Sequence, residues 1–213
     1  MTRVISIDQS LFWWINSHHN AALDWILWCF SQSWSWAVAI IIMLIFTTLR
    51  NDRKSLFWVL AGIGLCFLLA DQISSNAIKD GVQRLRPCHE LEGVRMFHTS
   101  KGGLYGFVSS HSANAFAVAT FLSLLYGGKR RKAKPLSEQK GNWWHCVGSG
   151  YKSAVFPYIA FGWAMIVGYS RPYLGKHYPG DVVCGALLGI GIGAAIYFAI
   201  SNIRAKISSK SLE

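Results

Sequence analysis

Acidic side chains are scarce in this 213-residue chain, with ten Asp and Glu against 21 Lys and Arg, and charged residues of all kinds make up only 15%. Ordinary soluble domains carry roughly 25%. That shortfall excludes a disordered chain, a coiled coil and a typical nucleic-acid-binding module. Paired cysteines are missing too. Cys29, Cys66, Cys88, Cys146 and Cys184 are scattered with no CxxC, which argues against a disulfide framework or a zinc site. Cys29, Cys66 and Cys184 lie in apolar runs and read as small buried hydrophobes. No Asp, Glu and His cluster has the spacing of metal ligands, so no metal and no other cofactor is expected. The first 20 residues lack a basic region leading into an apolar stretch and a small-residue cleavage site, so no removable signal peptide is expected.

What the chain does have is apolar and aromatic bulk. Hydrophobic residues make up 52%, with ten Trp and twelve Phe, and the formal net charge is +11. The basic residues fall in clusters between apolar runs, the pattern of an integral membrane protein whose charges are confined to loops. Candidate spans are 34–49, 56–78, 112–126, 153–169 and 182–203, judged against the roughly 20 apolar residues a crossing helix needs. A sixth stretch, 11–30, is broken by His18-His19-Asn20 and Asp24. It reads either as an interfacial amphipathic helix with Trp13, Trp14, Trp25 and Trp28 at headgroup level, or as a further span.

The expected fold is therefore all-α, a polytopic transmembrane helical bundle of about six helical segments. Residues 1–33 form its N-terminal amphipathic or first membrane segment, 34–203 its core and 204–213 a basic tail. Thirteen of the 21 Lys and Arg fall in loops 50–55 and 127–152 and in the tail, and eight on the opposite side. The excess assigns the first side to the cytoplasm. The run Lys129–Lys134 reads as a solvated loop beside anionic lipid. His145 and Trp143-Trp144 mark an interface belt on that side.

The other side gathers Lys79 at the end of the second span, Arg86-Pro87, and Ser109-Ser110-His111 opening the third. Ser170-Arg171 ends the fourth, and His177 and Asp181 open the fifth. Charge is costly near lipid, so such a cluster is a functional-site candidate. Lys79, Arg86 and Arg171 suit an anion clamp, because guanidinium forks and an ammonium match phosphate oxygens. The N–H groups of Ser110 and His111, at a helix N-terminus, add donors. Pro179-Gly180 make a turn, and Asp181, in the first turn of the fifth helix, can accept an N–H from the His177 ring and leave the other nitrogen as a neutral nucleophile. His111 then protonates the leaving oxygen, and the cations supply the charge stabilisation that phosphoryl transfer needs. Asp71, two helical turns before Lys79, is either a structural carboxylate or a partner of a site cation. His89, Glu90, Glu92, Arg95 and His98 read as a solvated loop, with headgroup recognition as the alternative. Tyr173 and Lys176 are candidates for substrate contact.

The ordered set K-x6-RP, SxH and SR-x5-H-x3-D resembles the type 2 phosphatidic acid phosphatase superfamily, which shares its site with vanadium haloperoxidases. The resemblance covers about residues 56–203. The first motif is complete at Lys79 to Arg86-Pro87 and the third at Ser170-Arg171 through His177 to Asp181. The second, PSGH in the family, stands as Val108-Ser109-Ser110-His111. The resemblance implies phosphate ligands at Lys79, Arg86 and Arg171, oxyanion donors at Ser109 and Ser110, a general acid at His111, a nucleophile at His177 and its orienting partner at Asp181. It also implies a bundle of six spans. The function expected is a membrane phosphatase acting on a lipid phosphate at the outer leaflet, by a metal-independent phosphohistidine route. Candidate substrates are phosphatidylglycerol phosphate, phosphatidate, undecaprenyl diphosphate and lipid A phosphate. The expected location is a bacterial inner membrane, and nucleic acid is not an expected partner. Two alternatives stay open, a haloperoxidase that holds vanadate in the same pocket, and an anion channel or transporter using the cations for selectivity.

Overall fold

A computed structural model describes residues 2–50, 53–127 and 154–210. In chain order the helices are α1 (Thr2–Ser17), α2 (Ala21–Ser31), α3 (Ser33–Arg50) and α4 (Arg53–Gln72). α4 runs through a π-helical turn, Ile73–Ile78, into the single turn α5 (Lys79–Val82). There follow α6 (Pro87–Glu90), α7 (Ser110–Tyr126), α8 (Phe156–Tyr173) and α9 (Pro179–Lys210). An isolated antiparallel bridge pairs Leu85 with Tyr105. The Lys129–Lys134 run, Trp143-Trp144, His145 and Cys146 lie outside the described residues.

The stretch 11–30 is not one span. The chain breaks at 18–20, where Asn20 takes an extended conformation and its Oδ1 accepts the Leu23 N–H at 2.9 Å, capping α2. The two short helices hold polar groups inward. Asn16 and Asp24 are buried, while Trp14 and Trp25 remain more than half exposed. The basic segment after Ile203 is likewise not a separate tail, because α9 continues to Lys210. Arg204 is buried, with its guanidinium 5.9 Å from the Trp58 ring centroid on α4.

α7 is the axis of the molecule. Its Ala113, Ala117, Phe121 and Leu122 join Val59, Ile63, Cys66 and Ala70 of α4 and Ile192, Ile196 and Ile200 of α9 in one apolar core. Its other face, Ala115 and Ala119, meets Trp36 of α3 and Ala164 and Val167 of α8. Small residues set the closest approach. Gly185, Gly189 and Gly193 recur every four residues along α9, and a Cβ at any of them would run into the α7 backbone at Ser109, Ala113 and Ala117. Backbones packed this closely are typical of helices associating in a bilayer, where no hydrophobic drive from water is available.

The outward faces are apolar. Leu187 and Phe198 on α9, Phe57 and Leu68 on α4, and Ile159 and Met165 on α8 are all exposed. Two continuous helical stretches, Leu56–Val82 of 27 residues and Pro179–Ile207 of 29, are long and apolar enough to cross a membrane. Cys29, Cys66, Cys88 and Cys184 are free thiols, and Cys66 is fully buried in the core.

Candidate active site

The starts of α5, α7 and α9 and the end of α8 meet at one end of the bundle. Between them lies a cavity of about 250 Å³, lined by Asp71, Ser75, Lys79, Arg86, Ser110, His111, Asn114, Arg171 and His177. Six of the eight residues singled out in the sequence, Lys79, Arg86, Ser110, His111, Arg171 and His177, therefore share one cavity.

The π-turn sets the first cation. Lys79 N–H donates to the carbonyl of Ser74, five residues back rather than four. From there Lys79 Nζ reaches Ser110 Oγ at 2.6 Å, while Ser74 Oγ donates to the same oxygen at 2.8 Å. The serine that replaces the family's glycine thus engages the lysine through its hydroxyl. Arg86 leaves the bridge strand with its N–H on Leu104 O at 3.1 Å and its Nε on Tyr105 O at 3.1 Å. Its Nη1 lies 3.4 Å from His177 Nε2. Arg171, in the last turn of α8, is buried and donates Nη1 to Ser31 Oγ, while its Nε has no partner among the described residues. A buried guanidinium with a donor to spare, facing a cavity, is a seat for an oxyanion.

His177 sits in the turn between α8 and α9, just after Gly175, whose φ of +77° closes the turn. The ring is 2% exposed. Burial chiefly, then the charges of Arg171, Arg86 and Lys79, hold its pKa well below the ordinary imidazole value, which favours the neutral ring. Burial, then the same two arginines, pushes Lys176 next to it down to about 8.

Asp181 is fully buried behind the ring. Its Oδ2 accepts the Tyr178 N–H at 3.0 Å and stands 3.6 Å from His177 Nδ1, an ion-pair distance rather than a hydrogen bond. Its Oδ1 takes Arg84 Nη1 at 2.9 Å. Burial opposes the charge of Arg84, but the carboxylates of Asp181 and Asp8 outweigh it and hold the guanidinium above its ordinary value.

Ser109 departs from expectation. It is completely buried and absent from the cavity wall, its N–H donates to the Asp181 carbonyl at 3.0 Å, and its hydroxyl accepts from Ser112 N at 3.4 Å as the N-cap of α7. It caps the helix and ties it to α9 instead of offering its N–H to an anion. Tyr173 also turns elsewhere, donating to Asp24 Oδ1 at 2.8 Å. The loop after Cys88 is not free in solvent. Arg95 forks onto Asp24 at 2.9 and 2.5 Å, Asn16 bonds both N–H and carbonyl of Arg95 at 3.0 Å, and Glu90 accepts from Tyr178 Oη at 2.7 Å.

Sequence reading missed Arg84, Asp8, Asn114 and Gly106. A Cβ on Gly106 would lie 3.1 Å from Asp181 Oδ2 and 3.5 Å from His177 Nδ1, so a side chain here would press on the carboxylate by a few tenths of an ångström. The one available signal was Arg84 itself, an extra arginine inside the first motif. A second hollow, lined by Trp36, Ala37, Ile40, Phe67, His111 and Asn114, opens beside the cavity and shares His111 and Asn114 with it.

The chain is similar to known proteins. The chain is 26% identical over 200 residues to the lipid A 4'-phosphatase of Porphyromonas gingivalis, covering 92% of this chain and 74% of the relative. It is 29% identical over 209 residues to the lipid A 4'-phosphatase of Bacteroides thetaiotaomicron, covering 95% and 81%. Two crystal structures share the fold. The first transmembrane PAP2 type phosphatidylglycerolphosphate phosphatase from Bacillus subtilis superposes with a TM-score of 0.62 at 21% identity, over 97% of this chain and 89% of that one. Aquifex aeolicus LpxE gives 0.58 at 24%, over 88% and 93%. The PAP2 superfamily model matches residues 64–205, a stretch holding every cavity residue, and the chain belongs to that superfamily.

Proposed function

We propose that this protein is an integral membrane phosphatase that removes a phosphate monoester from a lipid, with lipid A as the first substrate to try. The observation that carries the reading is a buried imidazole, His177, facing a cavity with Lys79, Arg86 and Arg171 in its wall. Two relatives named lipid A 4'-phosphatase support the choice of substrate.

The chemistry follows from the groups present. His177 Nε2 attacks phosphorus as the bond from phosphorus to the lipid oxygen breaks, and His111 gives that oxygen its proton. The three cations and the Ser110 and His111 N–H groups stabilise the equatorial oxygens. Water, losing its proton to His111, then cleaves the phosphohistidine and releases inorganic phosphate. The cations supply the electrostatic stabilisation without a metal, so EDTA is expected to leave the rate intact. Millimolar orthovanadate, which can become trigonal bipyramidal against His177, is expected to inhibit.

α3, α7 and α8 join the two long spans in the bilayer in this reading, and α1 and α2 lie over the end that holds the site. The positive-inside bias supports putting that end on the periplasmic side of an inner membrane. The hollow beside His111 lies where the lipid part of a substrate would leave the phosphate cavity.

The test is phosphate release by purified protein in detergent over lipid A phosphate, phosphatidylglycerol phosphate, phosphatidate and undecaprenyl diphosphate, with His177→Ala as control. Release from none would sink the reading, as would a strict Mg²⁺ requirement. A channel releases no phosphate, and a haloperoxidase would oxidise halide with vanadate and peroxide.

A further inference from the structure

We infer that Asp8 and Arg84 are positioning residues for the nucleophile, acting through Asp181, so that the N-terminal helix is part of the catalytic apparatus; the inference rests on the proposed phosphatase reading. Arg84 carries one positive charge and divides it between two carboxylates. Nη1 holds Asp181 Oδ1 at 2.9 Å and Nη2 holds Asp8 Oδ2 at 2.7 Å. The guanidinium lies over the Tyr178 ring, 4.1 Å from its centroid, which restrains its position. The second oxygen of Asp8 accepts the Gly180 N–H at 2.7 Å, in the first turn of α9 and next to Asp181. Asp8 therefore grips both the cation that holds the Asp181 side chain and the backbone that carries it.

The bridge is mostly sheltered, with Asp8 13% and Arg84 25% exposed and Asp181 sealed, so its charges are weakly screened. Without the Asp8 charge, Arg84 would turn fully to Asp181. The pull on that carboxylate would draw Oδ2 further from Nδ1, which it already meets at 3.6 Å. Gly180 N–H would lose its acceptor, loosening the turn that presents the ring. Lys79, Arg86 and Arg171 make none of these contacts, so anion binding is left alone. The predicted defect is in attack by His177, not in holding phosphate.

The experiment uses the full chain in detergent with two substrates, an aryl phosphate whose leaving group needs no acid and a lipid phosphate. Asp8→Asn is expected to lower kcat by roughly ten- to a hundredfold on both, with KM and the Ki of inorganic phosphate within about twofold of wild type. Asp8→Glu recovers part of the loss. The double variant Asp8→Asn with Asp181→Asn is expected to be no slower than Asp181→Asn alone, because the two act in series. Should Asp8→Asn fail to fold, Asp8→Glu and Arg84→Lys, which keep both charges and shift the geometry, are expected to show a smaller loss, again in kcat only. An active wild type with Asp8→Asn within about twofold of it, losses confined to KM, or losses that multiply in the double variant would overturn the inference alone. A wild type that releases no phosphate from either substrate would overturn the phosphatase reading and this inference with it.

Discussion

The two sides of the His177 ring differ in how their charges are settled. Behind it, Asp181, Arg84 and Asp8 are all paired, and each carboxylate oxygen has a donor within 3.0 Å. In front, Arg86 and Arg171 stand in the cavity wall with no carboxylate on them among the described residues, and a buried nitrogen of Arg171 has no partner there. Ion pairs settled inside a fold hold geometry. Cations left without an anion keep their binding energy for something that arrives. The same fold thus uses arginine in two ways within two residues, at 84 for structure and at 86 for the cavity.

The largest effect on this contrast comes from removing the ring that divides it. His177→Ala is expected to cut turnover more than a hundredfold while circular dichroism and melting stay near wild type; residual activity above about a hundredth would count against a nucleophile there. Next is the front. Arg171→Gln takes away the buried unpaired donor, and kcat/KM is expected to fall by about 10²-fold, measured by steady-state phosphate release. The rear can be disturbed by one methyl. Gly106→Ala places a Cβ against Asp181 and the ring, and stopped-flow kinetics should show kcat reduced by about tenfold with KM little changed. The smallest effect is in pH. Lys176, depressed to about 8, loses its charge as pH rises through that value, so KM for an anionic substrate is expected to climb a few-fold between about pH 7 and 9. The lowered pKa of His177 has the opposite limb. kcat/KM should hold as pH falls through the ordinary imidazole value of about 6.5 and drop only below it.

Much of the cavity was legible in the sequence, because its residues announce themselves locally. A lysine or arginine at the end of an apolar run is costly without a purpose, and Lys79, Arg86, His111, Arg171 and His177 each stand at or near such an end. The helical class followed from the apolar runs in the same way. What was not legible depends on partners far off in the chain. Asp8 meets Arg84 across 76 positions, Arg84 meets Asp181 across 97, and Asp24 meets Arg95 across 71. No local pattern encodes those pairings. The N-terminal stretch reads as an interfacial helix or a further span because its apolar residues and tryptophans are visible in the sequence, whereas the inward role of Asp8, Asn16 and Asp24 appears only once the loops they hold are placed. Ser109 shows the reverse case, a residue next to a reacting group whose buried N–H is already taken by a neighbouring helix. The break at Asn20 was open to local reading, since an asparagine before an apolar run is a helix cap in waiting.

The π-turn at Ile73–Ile78 bears on the register of the first motif. Each residue inserted into or removed from an α-helix rotates the downstream segment by about 100°. The backbone irregularity therefore decides which way Lys79 faces, independently of any side chain in the cavity. Straightening residues 73–78 into plain α-helix without changing their number would swing the ammonium about a quarter-turn around the axis, emptying one wall of the cavity while leaving every motif letter in place.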